Sequence, residues 1–193
     1  KVPVPECGEP TGKRVAIVGG GPGGLSAAYF LSLMGHKCVV YEMKPMLGGM
    51  LRYGLHNYRF PRERLQEDLD AILSTGVEVR YNTKIGEEIT IKQLREEYDA
   101  VYIAIGAHQD KKVGIEGEDS KGVISAVELL NDIGHENMPD FTGKTVVVIG
   151  GGNVAMDCVR SSVRLGAKKS IIAYRRRKLD MTALPEEVDG ALE

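Results

Sequence analysis

Gly19, Gly21 and Gly24 spell GxGxxG. The chemistry that this spacing supports is the grip of a pyrophosphate. The first glycine permits a tight turn, the second lets backbone approach the phosphates, and the third lets a helix pack close to a sheet. The phosphates then rest on the free N–H groups and positive dipole end of that helix. Taken alone, the pattern also describes an incidental glycine-rich turn. Here it follows the apolar run VAIV, opens a helical segment, and precedes Glu42 at the end of a second apolar strand. A carboxylate at that place accepts hydrogen bonds from an adenosine ribose. The first loop therefore reads as the ADP-binding half of a dinucleotide site.

A second loop, Gly150, Gly152 and Ala155, gives GxGxxA, again between an apolar strand and a helix. Its second strand, SIIAY, is followed by Arg175, Arg176, Arg177 and Lys178, and no acid stands between Gly166 and Leu179. The ribose carboxylate is replaced by guanidinium groups, which suit a 2′-phosphate through bidentate, charge-assisted contacts. This favours NADP(H) over NAD(H). The bland alternative is a solvated basic turn or a targeting tetrapeptide, and the preceding strand and helix weigh against it. Asp157, in mid-helix, is read as structural. No general acid or base is assigned.

The elements that must hold these loops follow from periodicity. Residues 14–35 and 145–166 align without a gap, each with a strand, three glycines, a helix and a closing glycine. Between them, residues 43–60 read as a long loop. Pro61 opens a helix whose apolar positions Leu65, Leu69, Ile72 and Leu73 keep helical spacing. VEVRYN reads as a strand, IKQLREE as a helix and AVYIAIG as a strand. Residues 108–122 read as a polar connection, ISAVELLNDIG as a helix, and EEVDGALE as a closing helix. The expected fold class is α/β, with two Rossmann-like doubly wound nucleotide-binding units whose C-terminal parts are missing. The expected divisions are a linker over 1–13, a first domain over 14–110 and a second over 111–193.

Bulk properties narrow the function. The net charge of -2 offers no positive field for nucleic acid. No apolar run approaches the roughly 20 residues that span a bilayer, and the N-terminus lacks an apolar signal core. The expected location is the cytoplasm. The three cysteines, Cys7, Cys38 and Cys158, include no C-x-x-C pair, so a disulfide framework or zinc knuckle is not expected. Cys38 and Cys158 read as small buried hydrophobes. No metal site is expected.

VAIVGGGPGGLSAA, YEMKPMLGGMLRYGLHNYRFP, VYIAIGA and VIGGGNVAMDCVRSSVRLGA with YRRR and LPEEV resemble the small subunit of NADPH-dependent glutamate synthase. They resemble equally its relatives in dihydropyrimidine dehydrogenase and the electron-bifurcating ferredoxin–NADP oxidoreductases. The resemblance runs from about Thr11 to Val188. It implies an FAD domain interrupted by an NADP(H) domain. It places FAD on Gly19, Gly21, Pro22, Gly23, Gly24, Glu42, Gly49, Met50 and Arg59, and at the end of the third strand near Ile85. It places NADP(H) on Gly151, Gly152, Asn153 and Val154, with Arg175 and Arg176 at the 2′-phosphate. It implies an oxidoreductase passing hydride from NADPH to FAD, and electrons onward to iron–sulfur centres or a larger partner subunit.

The chain departs from this pattern at several points. Relatives often carry Asp where Asn153 stands, and some carry Arg where Thr182 stands. The family's closing strand over the flavin has no counterpart here. Cys7 alone cannot hold an iron–sulfur cluster, so any cluster belongs to other segments or a partner. The chain begins with Lys1 and reads as a portion of a longer polypeptide, inactive by itself. Alternatives are a non-catalytic nucleotide-binding scaffold and a disulfide-reductase relative, the latter disfavoured by the lack of C-x-x-C.

Overall fold

A computed structural model describes residues 3–193 of the chain. The residues divide into two compact units, one ending at Ala107 and the other starting at His108.

In the first unit a parallel sheet is built from β1 (Arg14–Val18), β2 (Lys37–Tyr41), β3 (Glu78–Arg80) and β4 (Ala100–Ile103), in the order β3-β2-β1-β4. Helices α1 (Pro22–Leu33), α2 (Met50–Tyr53), α3 (Arg62–Leu73) and α4 (Ile91–Glu97) complete it. Each crossover returns a strand parallel to its neighbour, which gives the open half of a doubly wound sheet.

The continuous apolar run of β1 has a direct cause. Successive side chains of a strand point to opposite faces, and both faces here are covered. Val15 and Ile17 pack with Leu25 and Ala28 of α1 and Leu65 and Leu69 of α3. Ala16 and Val18 pack on the other side with Leu94 of α4 and with Tyr98. There the Tyr41 and Tyr98 hydroxyls share a hydrogen bond of 2.8 Å. Helix α4 starts on a capping box: Thr90 Oγ1 accepts from Gln93 N, and Gln93 Oε1 accepts from Thr90 N.

The second unit holds α5 (Ala126–Gly134), β5 (Thr145–Ile149), α6 (Asn153–Arg164), β6 (Lys169–Ala173), a 3-10 turn at Lys178–Asp180 and α7 (Pro185–Asp189). Strands β5 and β6 pair in parallel. Leu129 and Leu130 of α5 pack on Cys158 of α6, with Val148 of β5 beside them. Val148 also joins Met156, Ala155 and Ala183 in a second cluster. The other face of β5 is bare, with Val147 54% and Ile149 55% exposed.

Several local expectations needed correction. The stretch 43–60 is not all loop, because Gly49 ends it at an N-cap and α2 follows. Pro61 sits at the N-cap of α3, one place before the helix. The third strand ends at Arg80. Ile85 instead forms an isolated bridge with Ile89 and packs under the sheet. The closing helix is only α7, beginning at the proline of LPEEV. The stretch read as a linker is tied down, since Gly8 N donates to Leu33 O and Thr11 N to Gly35 O. Among the described residues no helix is long and apolar enough to cross a membrane.

Cys38 and Cys158 are buried, at 1% and 2% exposure, while Cys7 is exposed. Burial pushes the Cys158 thiol up to about 12, helped by the nearby Asp157. An unfolded thiol ionises nearer 9, so alkaline pH above that value draws this position toward the unfolded state. Brief iodoacetamide treatment of the native protein at neutral pH is expected to label Cys7 and to spare Cys38 and Cys158 until denaturant is added. Rapid native labelling of either buried thiol would contradict the packing of α1 on β2 or of α5 on α6.

Candidate nucleotide-binding sites

Both glycine loops leave their strands in the same way. Gly19 N donates to Tyr41 O at 2.9 Å, and Gly150 N to Ala173 O at 3.0 Å. The backbone then turns with φ +110° at Gly19 and +146° at Gly150, conformations that side chains other than glycine seldom adopt. A Cβ on Gly19 would strike the Ala104 carbonyl at the end of β4. A Cβ on Gly24 would strike the Gly19 carbonyl, so the third glycine brings α1 onto the strand end. In the second unit Ala155 takes that place. Its Cβ lies 3.4 Å from where a Cβ on Gly150 would stand, so the loop accommodates one methyl group.

Gly21 caps α1 and Pro22 is its first residue, with Gly23 exposed beside it. The amides of a first helical turn have no partner within the helix, and they form the anion-binding end. Against them lies a further glycine pair. Gly48 N donates to Gly20 O at 2.9 Å. Gly49, at φ +52°, sits so close that its Cβ would come within 2.7 Å of Gly21 Cα. Gly49 caps α2, and Met50 begins it and remains 38% exposed. The GGM stretch is therefore held against GxGxxG backbone to backbone, which only glycines allow.

Two residues that sequence reasoning passed over fix this arrangement. The first is Gly20. Its amide donates to Glu42 Oε2 at 2.7 Å, while Lys44 N donates to Glu42 Oε1 at 2.8 Å. Glu42 is only 6% exposed, and its carboxylate therefore braces the first loop as well as ending β2. The second is Arg62. Its guanidinium donates to the carbonyls of Leu51, Arg52 and Leu55, where α2 leaves carbonyls without helical partners. Lys44 lies over the Tyr53 ring at 4.1 Å. Burial pulls its ammonium below the ordinary lysine range, with Glu42 working against that shift. Arg59 is half-buried in the turn where its amide donates to His56 O.

The second loop has a different brace. The pairing of Val18 with Tyr41 and of Ile149 with Ala173 makes Tyr174 the counterpart of Glu42. The Tyr174 ring lies under Gly151, where a Cβ would come within 2.8 Å of it. Gly152 caps α6, Asn153 is its first residue, and Val154 is 47% exposed. Arg175 and Arg176 follow Tyr174, both exposed. Among the described residues they make no hydrogen bond or ion pair. Arg177 is already committed to Asp180, with Nε to Oδ2 and Nη2 to Oδ1 both at 3.1 Å. The Asn153 side chain is committed too, its Oδ1 accepting from Leu184 N at 2.8 Å.

Comparison with known proteins agrees with this geometry. The chain is 47% identical over 186 residues to the NADPH-Fe(3+) oxidoreductase subunit beta of Geobacter sulfurreducens, covering 94% of this chain and 28% of that protein. It is 38% identical over 193 residues to the glutamate synthase [NADPH] small chain of Escherichia coli, covering 95% of this chain and 41% of the relative. The chain thus spans less than half the length of these relatives. Among solved structures it resembles Mycobacterium tuberculosis FprA in complex with NADPH. The TM-score is 0.78 at 26% identity, covering 93% of this chain and 47% of FprA. A family model described as pyridine nucleotide-disulphide oxidoreductase matches residues 13–193. The two repeated strand–glycine–helix units are those of that family, and the chain belongs to the pyridine nucleotide-disulphide oxidoreductases.

Proposed function

We propose that this chain is part of an NADP(H)-linked flavoprotein oxidoreductase, with FAD on residues 14–110 and NADP(H) on residues 111–193. One observation carries the reading. The same cradle occurs twice, but its strand-end residue changes from Glu42 to Tyr174 followed by Arg175 and Arg176. A buried acid suits two ribose hydroxyls, and exposed guanidinium groups suit a 2′-phosphate.

The residues present fit these cofactors. On the first unit, the amides at Gly21–Gly24 would meet the pyrophosphate, with Gly49 and Met50 on the opposite wall. Glu42 uses each carboxylate oxygen once, which leaves lone pairs for a ribose. Arg59 and the backbone near Ile85 complete the expected contacts. On the second unit, Gly151, Gly152, Asn153 and Val154 would present backbone to the NADP(H) pyrophosphate. When bound, the two cofactors supply hydride transfer from NADPH to the flavin and delivery of its electrons to iron–sulfur centres or a partner subunit. The protein supplies binding, orientation and charge. The similarity to an NADPH-Fe(3+) oxidoreductase subunit beta and a glutamate synthase [NADPH] small chain supports an NADPH-linked redox subunit within a larger assembly.

The full-length protein is expected to carry the yellow absorbance of bound flavin, and its absence after gentle purification would sink the first assignment. Glu42→Ala should weaken FAD retention by about 1–3 kcal/mol, the range of a hydrogen bond to a charged group. Glu42→Gln, which keeps an acceptor for only one of the two amides, should fall between. Equal FAD affinity in all three proteins would remove Glu42 from the site. Replacing Arg175 and Arg176 together with Gln should raise KM for NADPH far more than KM for NADH. Equal effects on the two cofactors would reduce these arginines to a basic surface turn.

A further inference from the structure

We propose that Asn153 sets the preference for a 2′-phosphorylated nucleotide indirectly, by pinning the arginine-bearing loop to the glycine loop. This rests on the reading that Arg175 and Arg176 meet the 2′-phosphate, and it gives Asn153 a positioning role. The resemblance alone had put this residue among the NADP(H) contacts.

The loop from Tyr174 to Leu184 leaves the sheet at β6 and comes straight back. On its return, three consecutive backbone amides end on the glycine loop. Thr182 N and Ala183 N both donate to Gly151 O at 3.0 Å. Leu184 N donates to Asn153 Oδ1 at 2.8 Å, across 31 positions of sequence. The interior is cross-tied as well. Tyr174 OH donates to Asp180 O at 2.8 Å, and the Arg177 guanidinium clasps the Asp180 carboxylate. Asp180 N in turn donates to Arg177 O.

Arg175 and Arg176, like the Lys178 side chain, face water with no hydrogen bond or ion pair among the described residues. An exposed arginine loses side-chain freedom when it grips a ligand. If its backbone must also be ordered, the cost rises, and pre-ordering the loop removes that part. The Asn153 side chain supplies a polar tie between the returning segment and α6, beside the apolar packing of Ala183 on Ala155 and Met156. Its own backbone N–H remains among the free amides of the first turn. Side-chain substitution therefore keeps the first-turn amides and removes one of the three hydrogen bonds that end the loop on this site.

Calorimetric titration of the full-length protein with adenosine 2′,5′-bisphosphate and with 5′-AMP separates the two roles, because these probes differ only in the 2′-phosphate. Asn153→Ala is expected to lower the preference for the bisphosphate over 5′-AMP about tenfold, the scale of one hydrogen bond. Asn153→Asp, which can still accept from Leu184 N, should restore the preference. Leu184→Pro removes the donor from the other side at φ -61°, an angle proline adopts, and should reproduce the loss. A preference unchanged in both Asn153→Ala and Leu184→Pro would overturn the proposal, as would equal loss of both probes. The double Gln variant of Arg175 and Arg176 runs in parallel. A bisphosphate preference that survives it would show that the arginine reading itself is wrong, and the positioning role would fall with it.

Discussion

Each nucleotide loop hangs on one backbone hydrogen bond made just past the end of a strand, Gly19 N to Tyr41 O and Gly150 N to Ala173 O. This bond ends the parallel ladder and turns the chain over the sheet. It forces a positive φ at the first glycine, and it delivers the next helix with its free amides at the carboxyl ends of the strands. Every other feature of the sites is an answer to that geometry. The third position must be small because the helix lands on the carbonyl just formed. Gly20 and Gly151 must be bare because Glu42 and Tyr174 lie against them.

The two units solve the bracing problem with different chemistry. Glu42 does it with a carboxylate that takes the Gly20 amide. Tyr174 does it with an aromatic ring against which Gly151 lies flat. A charged brace ties the loop through a directional bond and leaves negative charge at the strand end. A ring ties it through contact area and leaves that position neutral, so the neighbouring arginines are not cancelled. One strand-end residue therefore decides both how the loop is held and which sign of charge the site offers.

Much of this was legible in the sequence because it depends on short-range rules. The glycine spacings, the apolar runs of β1 and β2, the spacing of Leu65 and Leu69, and the Glu42 and Arg175 contrast each report a local requirement. The FAD and NADP(H) contacts themselves rest on a family resemblance. What the sequence hid depends on distant partners. Nothing local marks Arg62 as the group that gathers three carbonyls of α2 and the turn after it, or Asn153 as the acceptor for Leu184. The four-residue helix α2 escaped notice because it is too short for a period. The third strand was drawn too long because Tyr81 and Asn82 continue its pattern while Asn82 turns to φ 52°. The apolar run of β5 carries Val147 and Ile149 in water on one face.

That bare face has a practical side. A two-stranded parallel ribbon with apolar residues on its open side resembles the surfaces that make partly assembled domains adhere to one another. Tyr102 and Ile103, at 45% and 60% exposure on β4, add a second such surface. Salts that strengthen apolar association, such as sulfate or phosphate, deepen the tendency. A laboratory handling this span of residues by itself should therefore meet a solubility ceiling set by strands β4 and β5. The ceiling would be lower in phosphate buffer than in a weakly interacting one, and it would owe nothing to the glycine loops.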